Sequence, residues 1–248
     1  MLARDWDRVA ADYYTEIISP LERGVPPALA RALDRIPDAR RKTVGDLGCG
    51  VGPLLPELAA RFRRVVAVDF SPAMLARARE ACRARHVTLH RADLADLRQF
   101  RDTLDVAVTV NAVLTTDPAR LDRVFASLRS VLRPGGVLLG IFPAMEAVLY
   151  QGLLIDERER RHLPLDRARA RTGALLDAER YDFVHGVYRE GEQAQKLFYA
   201  FELGHRLRRA GFRRARLARL PYDWDNVGGF EPFPDEPPMW DWLVRAEA

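Results

Sequence analysis

A glycine-rich turn between a short apolar run and a helical segment is the strongest constraint in the sequence. Residues 43–53 read Thr-Val-Gly-Asp-Leu-Gly-Cys-Gly-Val-Gly-Pro, so glycine occupies alternate positions from Gly48 to Gly52. Backbone that passes close to a ligand cannot carry Cβ atoms. The N–H groups at the start of the following helix suit a negative group. The pattern therefore predicts a strand, a ligand-binding turn and a helix, in that order.

The glycine spacing differs from that of dinucleotide-binding dehydrogenases. Their third glycine lets the helix pack tightly on the strand, and Pro53 stands at that position here. Proline has a ring and no N–H, which disfavours a pyrophosphate cradle and a nicotinamide-dependent oxidoreductase. Asp69 ends the next apolar run, roughly 20 residues after the glycines, where an acid suits a pair of ribose hydroxyls. A tight turn without a ligand would not account for Asp46 before the glycines and Asp69 after them.

Apolar patterning predicts the elements that follow the turn. Strands are expected at residues 65–68, 87–89, 105–110 and 137–142, and the third of these runs is apolar enough to be covered on both faces. Ser71 and Asp117 each precede a proline, which predicts helix N-caps with proline at the first helical position. Helix A is predicted to begin at Pro53, and Gly211 is predicted to close a later helix.

Residues 44–52 resemble motif I of the class I S-adenosylmethionine-dependent methyltransferases, and residues 68–75 resemble the segment that follows it in that family. The likeness continues through residues 132–136 and 209–212 and is strongest over residues 40–142. It implies an α/β fold with a Rossmann-like, seven-stranded, mostly parallel sheet, helices on both faces and an antiparallel last strand. It also implies S-adenosylmethionine as the cofactor.

The resemblance divides the chain into an N-terminal helical lid over residues 1–40 and a methyltransferase domain over residues 41–248. We expect a helix-and-hairpin insertion at about residues 143–200, with two strands over residues 181–188 and 193–201. In the family, the N-terminal helices lie over the cofactor, and insertions after the fifth strand often build the pocket for the methyl acceptor.

The resemblance implies which residues bind the cofactor. Asp69 would bind the ribose, while Asp93 and Leu94 would bind the adenine amino group and ring, with Asp96 as a competing choice. Tyr13 would touch the methionine end or simply pack as an aromatic residue at helical spacing. The predicted cofactor-binding set is Asp46, Gly48, Cys49, Gly50, Gly52, Asp69, Phe70, Met74, Asp93, Leu94, Asn111 and Tyr13.

The sequence contains no obvious general base. The candidates for catalysis are His185, on the predicted pocket hairpin, and Tyr13. Tyr14, Phe198 and Tyr199 are candidates for the acceptor pocket, although a hydrophobic hairpin face explains the hairpin aromatics equally well. No metal-ligand spacing is present.

Composition limits the partners. The net charge is +4 over 248 residues, and the arginines are interspersed with acids rather than clustered as in a nucleic-acid footprint. Two cysteines give no disulfide framework, so we expect a reduced, cytoplasmic setting. No signal peptide and no membrane-spanning run is predicted. A small-molecule substrate is expected, with neither nucleic acid nor membrane as partner. Both a homodimer and a monomer are compatible with the sequence.

We therefore expect an enzyme that transfers a methyl group from S-adenosylmethionine to an oxygen or nitrogen atom of a small molecule. Two alternatives stay open: a non-catalytic methyltransferase-like protein that binds the cofactor, and an RNA methyltransferase. The Asn-Pro-Pro-Tyr-type and Pro-Cys motifs of enzymes that methylate DNA bases are absent, which argues against DNA as the acceptor.

Overall fold

A computed structural model describes residue 7, residues 20–222, residue 224 and residues 232–248. The predicted helix near the N-terminus falls mainly outside these residues. Ten strands are described: β1 Thr43–Leu47, β2 Arg64–Asp69, β3 Val87–Arg91, β4 Leu104–Val110, β5 Leu132–Pro143, β6 Tyr181–Asp182, β7 Val187–Glu190, β8 Gln193–Lys196, β9 Arg213–Pro221 and β10 Trp240–Glu247.

Seven of these strands form one sheet in the order β3-β2-β1-β4-β5-β10-β9. Neighbours within β3-β2-β1-β4-β5 are parallel, whereas β10 runs antiparallel to both β5 and β9. The predicted fold class is confirmed, including the antiparallel last strand. The order reverses between β1 and β4, and open α/β sheets bind ligands at such a switch point, beyond the carboxyl ends of the strands.

The described helices are α1 Pro27–Asp34, α2 Leu55–Arg61, α3 Pro72–Ala81, α4 Pro118–Ser130, α5 Met145–Glu159, α6 Leu165–Leu176 and α7 Ala200–Arg209. One hydrophobic cluster packs α1, α2 and α3 on one face of the sheet, and a second packs α4, α5 and α7 on the other face. Strands covered on both faces are apolar throughout, which explains the continuous apolar runs of β2 and β4.

The predicted helix signals are confirmed at α3, α4 and α7. The Ser71 hydroxyl accepts a hydrogen bond from the Met74 N–H at 3.1 Å, and an Asp117 oxygen accepts one from the Ala119 N–H at 2.9 Å. Gly211 follows α7 with φ +91°. The predicted start of helix A is wrong by two residues, because α2 begins at Leu55 and not at Pro53. The Leu55 N–H donates to the Gly52 carbonyl and closes a turn before the helix.

Residues 143–200 contain α5, α6 and a small antiparallel sheet, β6-β7-β8. The predicted first strand is interrupted, because the chain turns at residues 183–186 with Gly186 at φ +63°. The strand pair around Gly191 is present but shorter than predicted, since β8 ends at Lys196 and α7 begins at Ala200. The division of the chain into a lid, a domain and an insertion stays a prediction.

Within the described residues, no helix combines the length and apolar character needed to cross a membrane. The cytoplasmic location stays a prediction.

Candidate active site

The glycine turn leaves the carboxyl end of β1 and is attached to the neighbouring strand. The Gly48 and Cys49 N–H groups both donate to the Val68 carbonyl, at 2.8 and 3.0 Å. Gly48, Gly50 and Gly52 have φ values of +81°, +52° and +81°, a region that residues with a Cβ rarely occupy. All three glycines are therefore needed for the path of the turn.

Close packing adds a second reason for two of these glycines. A Cβ on Gly48 would overlap the Cβ of Ala112, just beyond β4. A Cβ on Gly52 would lie 2.9 Å from the Cα of Ala78 on α3. Gly48 lines the cleft described below, whereas Gly52 does not. The structure therefore gives Gly52 a packing role, where a cofactor contact was predicted.

Asp69 fixes the turn from the end of β2. Its two carboxylate oxygens accept from the Gly50 N–H and the Ser71 N–H, each at 2.9 Å. Burial raises the pKa of Asp69, and these backbone hydrogen bonds oppose that rise. The carboxylate is buried yet lines the cleft, so it can accept further hydrogen bonds from a ligand.

Asp46, on β1, is only 3% exposed, and its Oδ2 atom has no hydrogen-bond partner among the described residues. Burial, followed by repulsion from Asp69, raises the pKa of Asp46 to about 7. Buried carboxyl groups without a basic partner are costly, and they favour a cation brought by a ligand.

A cleft lies beyond the carboxyl ends of β1, β2 and β4. It encloses about 850 Å³ of space between protein atoms, a volume that includes open solvent. Its lining residues come from the glycine turn, the ends of β2 and β4, the loop after β3 and the start of α4: Gly48, Gly50, Asp69, Phe70, Met74, Asp93, Leu94, Val110, Asn111, Ala112, Val113, Leu114, Thr115, Arg120 and Val124.

Most of the predicted cofactor-binding residues meet at this cleft. Asp93 and Leu94 line it, whereas the competing Asp96 is exposed and paired with Arg98 at 2.7 Å. Cys49 is buried beside the turn without lining the cleft, because its side chain is turned into the protein core. Burial raises the pKa of its thiol.

A buried polar network next to the cleft was not predicted. Asn111, at φ +44°, donates from its Nδ2 atom to Asp241 Oδ2 at 2.9 Å, and the Tyr222 hydroxyl donates to the same oxygen. Burial raises the pKa of Asp241 to about 6 and raises that of Tyr222 well above its usual value. The signal was present in the sequence, since Asp241 is an acid inside the apolar strand β10.

Three of the predicted catalytic and acceptor-pocket residues do not line the cleft: His185, Phe198 and Tyr199. The His185 side chain is 73% exposed and contacts Asp182 through Nδ1 at 2.9 Å, on a separate shallow groove. It lies in the turn between β6 and β7, which carries it away from β1 and β4. His185 therefore does not stand where a general base for this cleft would be needed.

Phe198 is fully buried between Phe125 and Phe142, with ring centroids at 6.1 and 5.4 Å, so it belongs to the core and not to a pocket. Tyr199 lines the same groove as His185, and its hydroxyl donates to the Phe183 carbonyl. Tyr13 and Tyr14 lie outside the described residues, so their predicted roles stay predictions.

Comparison with known proteins gives a family match over part of the chain. Residues 44–136 match the model of a family described as a methyltransferase domain. Trans-aconitate 2-methyltransferase of Deinococcus radiodurans is 36% identical over 124 residues, which are 49% of this chain and 45% of that protein. The match thus spans about half the length of this relative.

Solved structures match over nearly the whole chain at low identity. A methyltransferase structure solved with the Haloferax volcanii Trm112 methyltransferase activator has a TM-score of 0.65 at 19% identity and covers 98% of this chain and 97% of its own. The DhpI-SAM-HEP complex has a TM-score of 0.62 at 18% identity, covering 99% and 94%. These likenesses confirm the fold.

Proposed function

We propose that this chain, which carries a class I S-adenosylmethionine-dependent methyltransferase domain, transfers a methyl group from S-adenosylmethionine to an oxygen or nitrogen atom of a small molecule. The family match over residues 44–136 spans β1 to β4 and the start of β5, the part that surrounds the cleft. The proposal that the chain is an enzyme rests on this match and on the chemistry of the cleft.

The observation that carries the proposal is the pairing of a side-chain-free turn with buried carboxyl groups. Gly48 and Gly50 let a ligand approach the backbone. Asp69, which lines the same cleft, has the acceptor character that ribose hydroxyls require. Asp46 does not line the cleft, but its Oδ2 atom lacks a partner among the described residues, and a cation bound nearby would stabilise its charged form. The donor set therefore fits S-adenosylmethionine, which is a cation with a ribose and an adenine ring.

S-adenosylmethionine supplies a methyl group that is already activated by its sulfonium, so the protein has to align the acceptor and exclude water. Asp69 and the glycine turn would hold the cofactor. Residues 110–115, after β4, would form the wall at which an acceptor is placed, and most of that wall is apolar or uncharged. Asn111 adds an amide held rigidly by Asp241.

A small-molecule acceptor is supported by the Deinococcus radiodurans relative, whose name gives trans-aconitate as its substrate. We propose that residues 143–200 shape the acceptor side through α5, because Glu146 joins α7 and β10 there. Glu146 accepts from the Ala200 N–H at 2.6 Å and from the Trp242 indole N–H at 3.0 Å.

Calorimetric titration with S-adenosylhomocysteine tests cofactor binding, and transfer of radioactive methyl groups to pooled carboxylic acids, alcohols and amines tests catalysis. We expect binding by the wild type and labelling of at least one pool. Asp69→Ala should bind at least tenfold more weakly, the effect of lost hydrogen bonds to a charged group, about 1.4 kcal/mol.

Asp96→Ala is the matched control, because Asp96 is an exposed acid outside the cleft, and it should bind like the wild type. Binding without labelling of any pool would favour the non-catalytic alternative. Labelling of RNA in place of small molecules would favour an RNA methyltransferase. The absence of binding by folded wild-type protein would contradict the proposal.

A further inference from the structure

Arg120 is the only basic side chain that lines the cleft among the described residues, and it was not predicted as a site residue. Its Nη2 atom donates to Asp93 Oδ2 at 2.7 Å. The other Asp93 oxygen, Oδ1, accepts from the Ala95 N–H at 2.9 Å. The two side chains thus form an ion pair within the cleft wall, between the loop after β3 and the first turn of α4.

The position of Arg120 on its helix is unfavourable in itself. Arg120 is the third residue of α4, a helix of 13 residues that begins at Pro118 and is capped by Asp117. The first turn of a helix carries a partial positive charge, so a cation there is disfavoured. Asp93 offsets this repulsion, so the position of Arg120 does not itself stabilise the helix.

The stability that the ion pair can contribute is small. The side chains of Arg120 and Asp93 are 36% and 41% exposed, and ion pairs this accessible to solvent contribute little to stability because water screens them. Both Arg120 and Asp93 line the cleft. An arginine kept at the mouth of a cavity by an acid has its planar guanidinium held in one place.

We infer that Arg120 is a binding residue for the purine ring of the cofactor, and this inference rests on the proposed function. A guanidinium held against an aromatic ring gains cation–π and stacking energy, and it loses little conformational freedom because Asp93 already restrains it. Asp93, which the family resemblance assigns to the purine amino group, lines the same cleft. With the cofactor bound, Asp93 would lie at the purine edge and the Arg120 guanidinium would pack on the ring face.

Two substitutions test this inference against a matched control on the same helix. Arg120→Gln removes the charge and keeps much of the side-chain length, while Arg120→Lys keeps the charge and loses the planar group. Arg123→Ala is the control, because Arg123 is exposed on α4 three residues away and does not line the cleft. Each protein is titrated calorimetrically with S-adenosylhomocysteine and with adenosine, and thermal unfolding reports whether it folds.

Arg120→Gln is expected to bind both ligands about tenfold more weakly, since it loses the cation–π contact with the purine. The loss should be the same factor for both, because both contain the purine. Arg120→Lys should lose about threefold, and Arg123→Ala should stay within about twofold of the wild type.

Wild-type affinity in a folded Arg120→Gln protein would overturn the inference and leave the proposed function intact. A loss seen with S-adenosylhomocysteine but not with adenosine would also overturn it, because Arg120 would then act on another part of the ligand. Failure of the wild type to bind either ligand would overturn both the proposed function and this inference.

Discussion

The two sides of the cleft are built in different ways. On one side, which we call the donor side (residues 43–94), neighbours in space are near in sequence: the Gly50 N–H and the Asp69 carboxylate that receives it are 19 positions apart. On the other, the acceptor side (residues 110–115 with residues 143–248), Asn111 and Asp241 are 130 positions apart.

This difference has a functional consequence. A local strand–turn–helix unit can keep its geometry while distant segments change, so cofactor binding can be maintained as the acceptor pocket varies. The comparison predicts that substitutions on the donor side abolish cofactor binding, and that substitutions on the acceptor side change stability with little effect on the cofactor.

The largest effect is expected from Gly48→Ala, which should weaken binding of S-adenosylhomocysteine by about a hundredfold or more, or abolish it. The added methyl group would overlap Ala112 Cβ and displace the cleft wall. Gly135→Ala is the matched control, because Gly135 has a similar φ of +77° but nothing within 4 Å of an added Cβ. Gly135→Ala should lose about 1–2 kcal/mol of stability from the left-handed backbone, and Gly48→Ala should lose more because its added Cβ also overlaps Ala112. Calorimetry and thermal unfolding separate the two outcomes, and equal binding by both variants would contradict the close-packing argument.

Lys196→Met should lower the free energy of unfolding by about 3 kcal/mol. Its buried ammonium donates to the carbonyls of His185 and Leu197 and to the carboxylate of Glu202, at 2.7, 2.8 and 2.7 Å, and so ties the small sheet to α7. Lys42→Met is the control, since Lys42 is the only other lysine. Urea unfolding gives the stability. Cofactor affinity should not change in Lys196→Met. A large loss of affinity would show that the two sides of the cleft are energetically coupled.

The pH dependence of stability should separate Asp46 from Asp241. Both have a pKa raised by burial, to about 7 and about 6, so the folded protein binds more protons than the unfolded chain above pH 3.8. The free energy of unfolding therefore falls as pH rises, by up to about 1.4 kcal/mol per pH unit for each group, until its folded pKa is passed.

Asp46→Asn should reduce the fall of the free energy of unfolding with pH up to pH 7. Asp241→Asn should reduce it only up to pH 6. Urea unfolding between pH 5 and 8 checks both. The pKa of Asp69 is also raised by burial, so Asp69 should still contribute to the pH dependence of stability in either variant. A slope between pH 6 and 7 that is unchanged in Asp46→Asn would contradict the buried-acid interpretation.

Tyr222→Phe is expected to have the smallest effect. It removes one of the donors to Asp241 and should cost about 1 kcal/mol of stability, the usual worth of a buried hydrogen bond. Affinity for S-adenosylhomocysteine should stay within about twofold. Urea unfolding and calorimetry measure the two quantities, and a loss of affinity as large as that of Gly48→Ala would remove the distinction between the two sides.

The same distinction explains what could be predicted from the sequence. The strands, the caps at Ser71 and Asp117 and the meeting of Gly48 and Asp69 follow from local patterns and parallel-strand topology, whereas Asp93 was predicted from the family resemblance. Local patterns therefore predict only part of the donor side, since Asp46, Cys49 and Gly52 were also predicted as site residues and do not line the cleft.

The acceptor side depended on tertiary packing that local patterns do not encode. Phe198 has the same aromatic character as a pocket residue, and only its edge-to-face contacts with Phe125 and Phe142 place it in the core. His185 was placed on a hairpin, but the turn at Gly186 carries it onto a different groove. Arg120 gave no signal, since it lies among ordinary helix arginines and meets Asp93 only in the fold.

A crystal structure of the protein with S-adenosylhomocysteine would test the central claim most directly. We expect the ligand in the cleft beyond β1, β2 and β4, with its ribose hydroxyls within hydrogen-bonding distance, about 2.7–3.0 Å, of the Asp69 carboxylate. Its backbone-facing side should lie against Gly48 and Gly50. A ligand bound elsewhere, or bound in the cleft without contact to Asp69, would contradict the account.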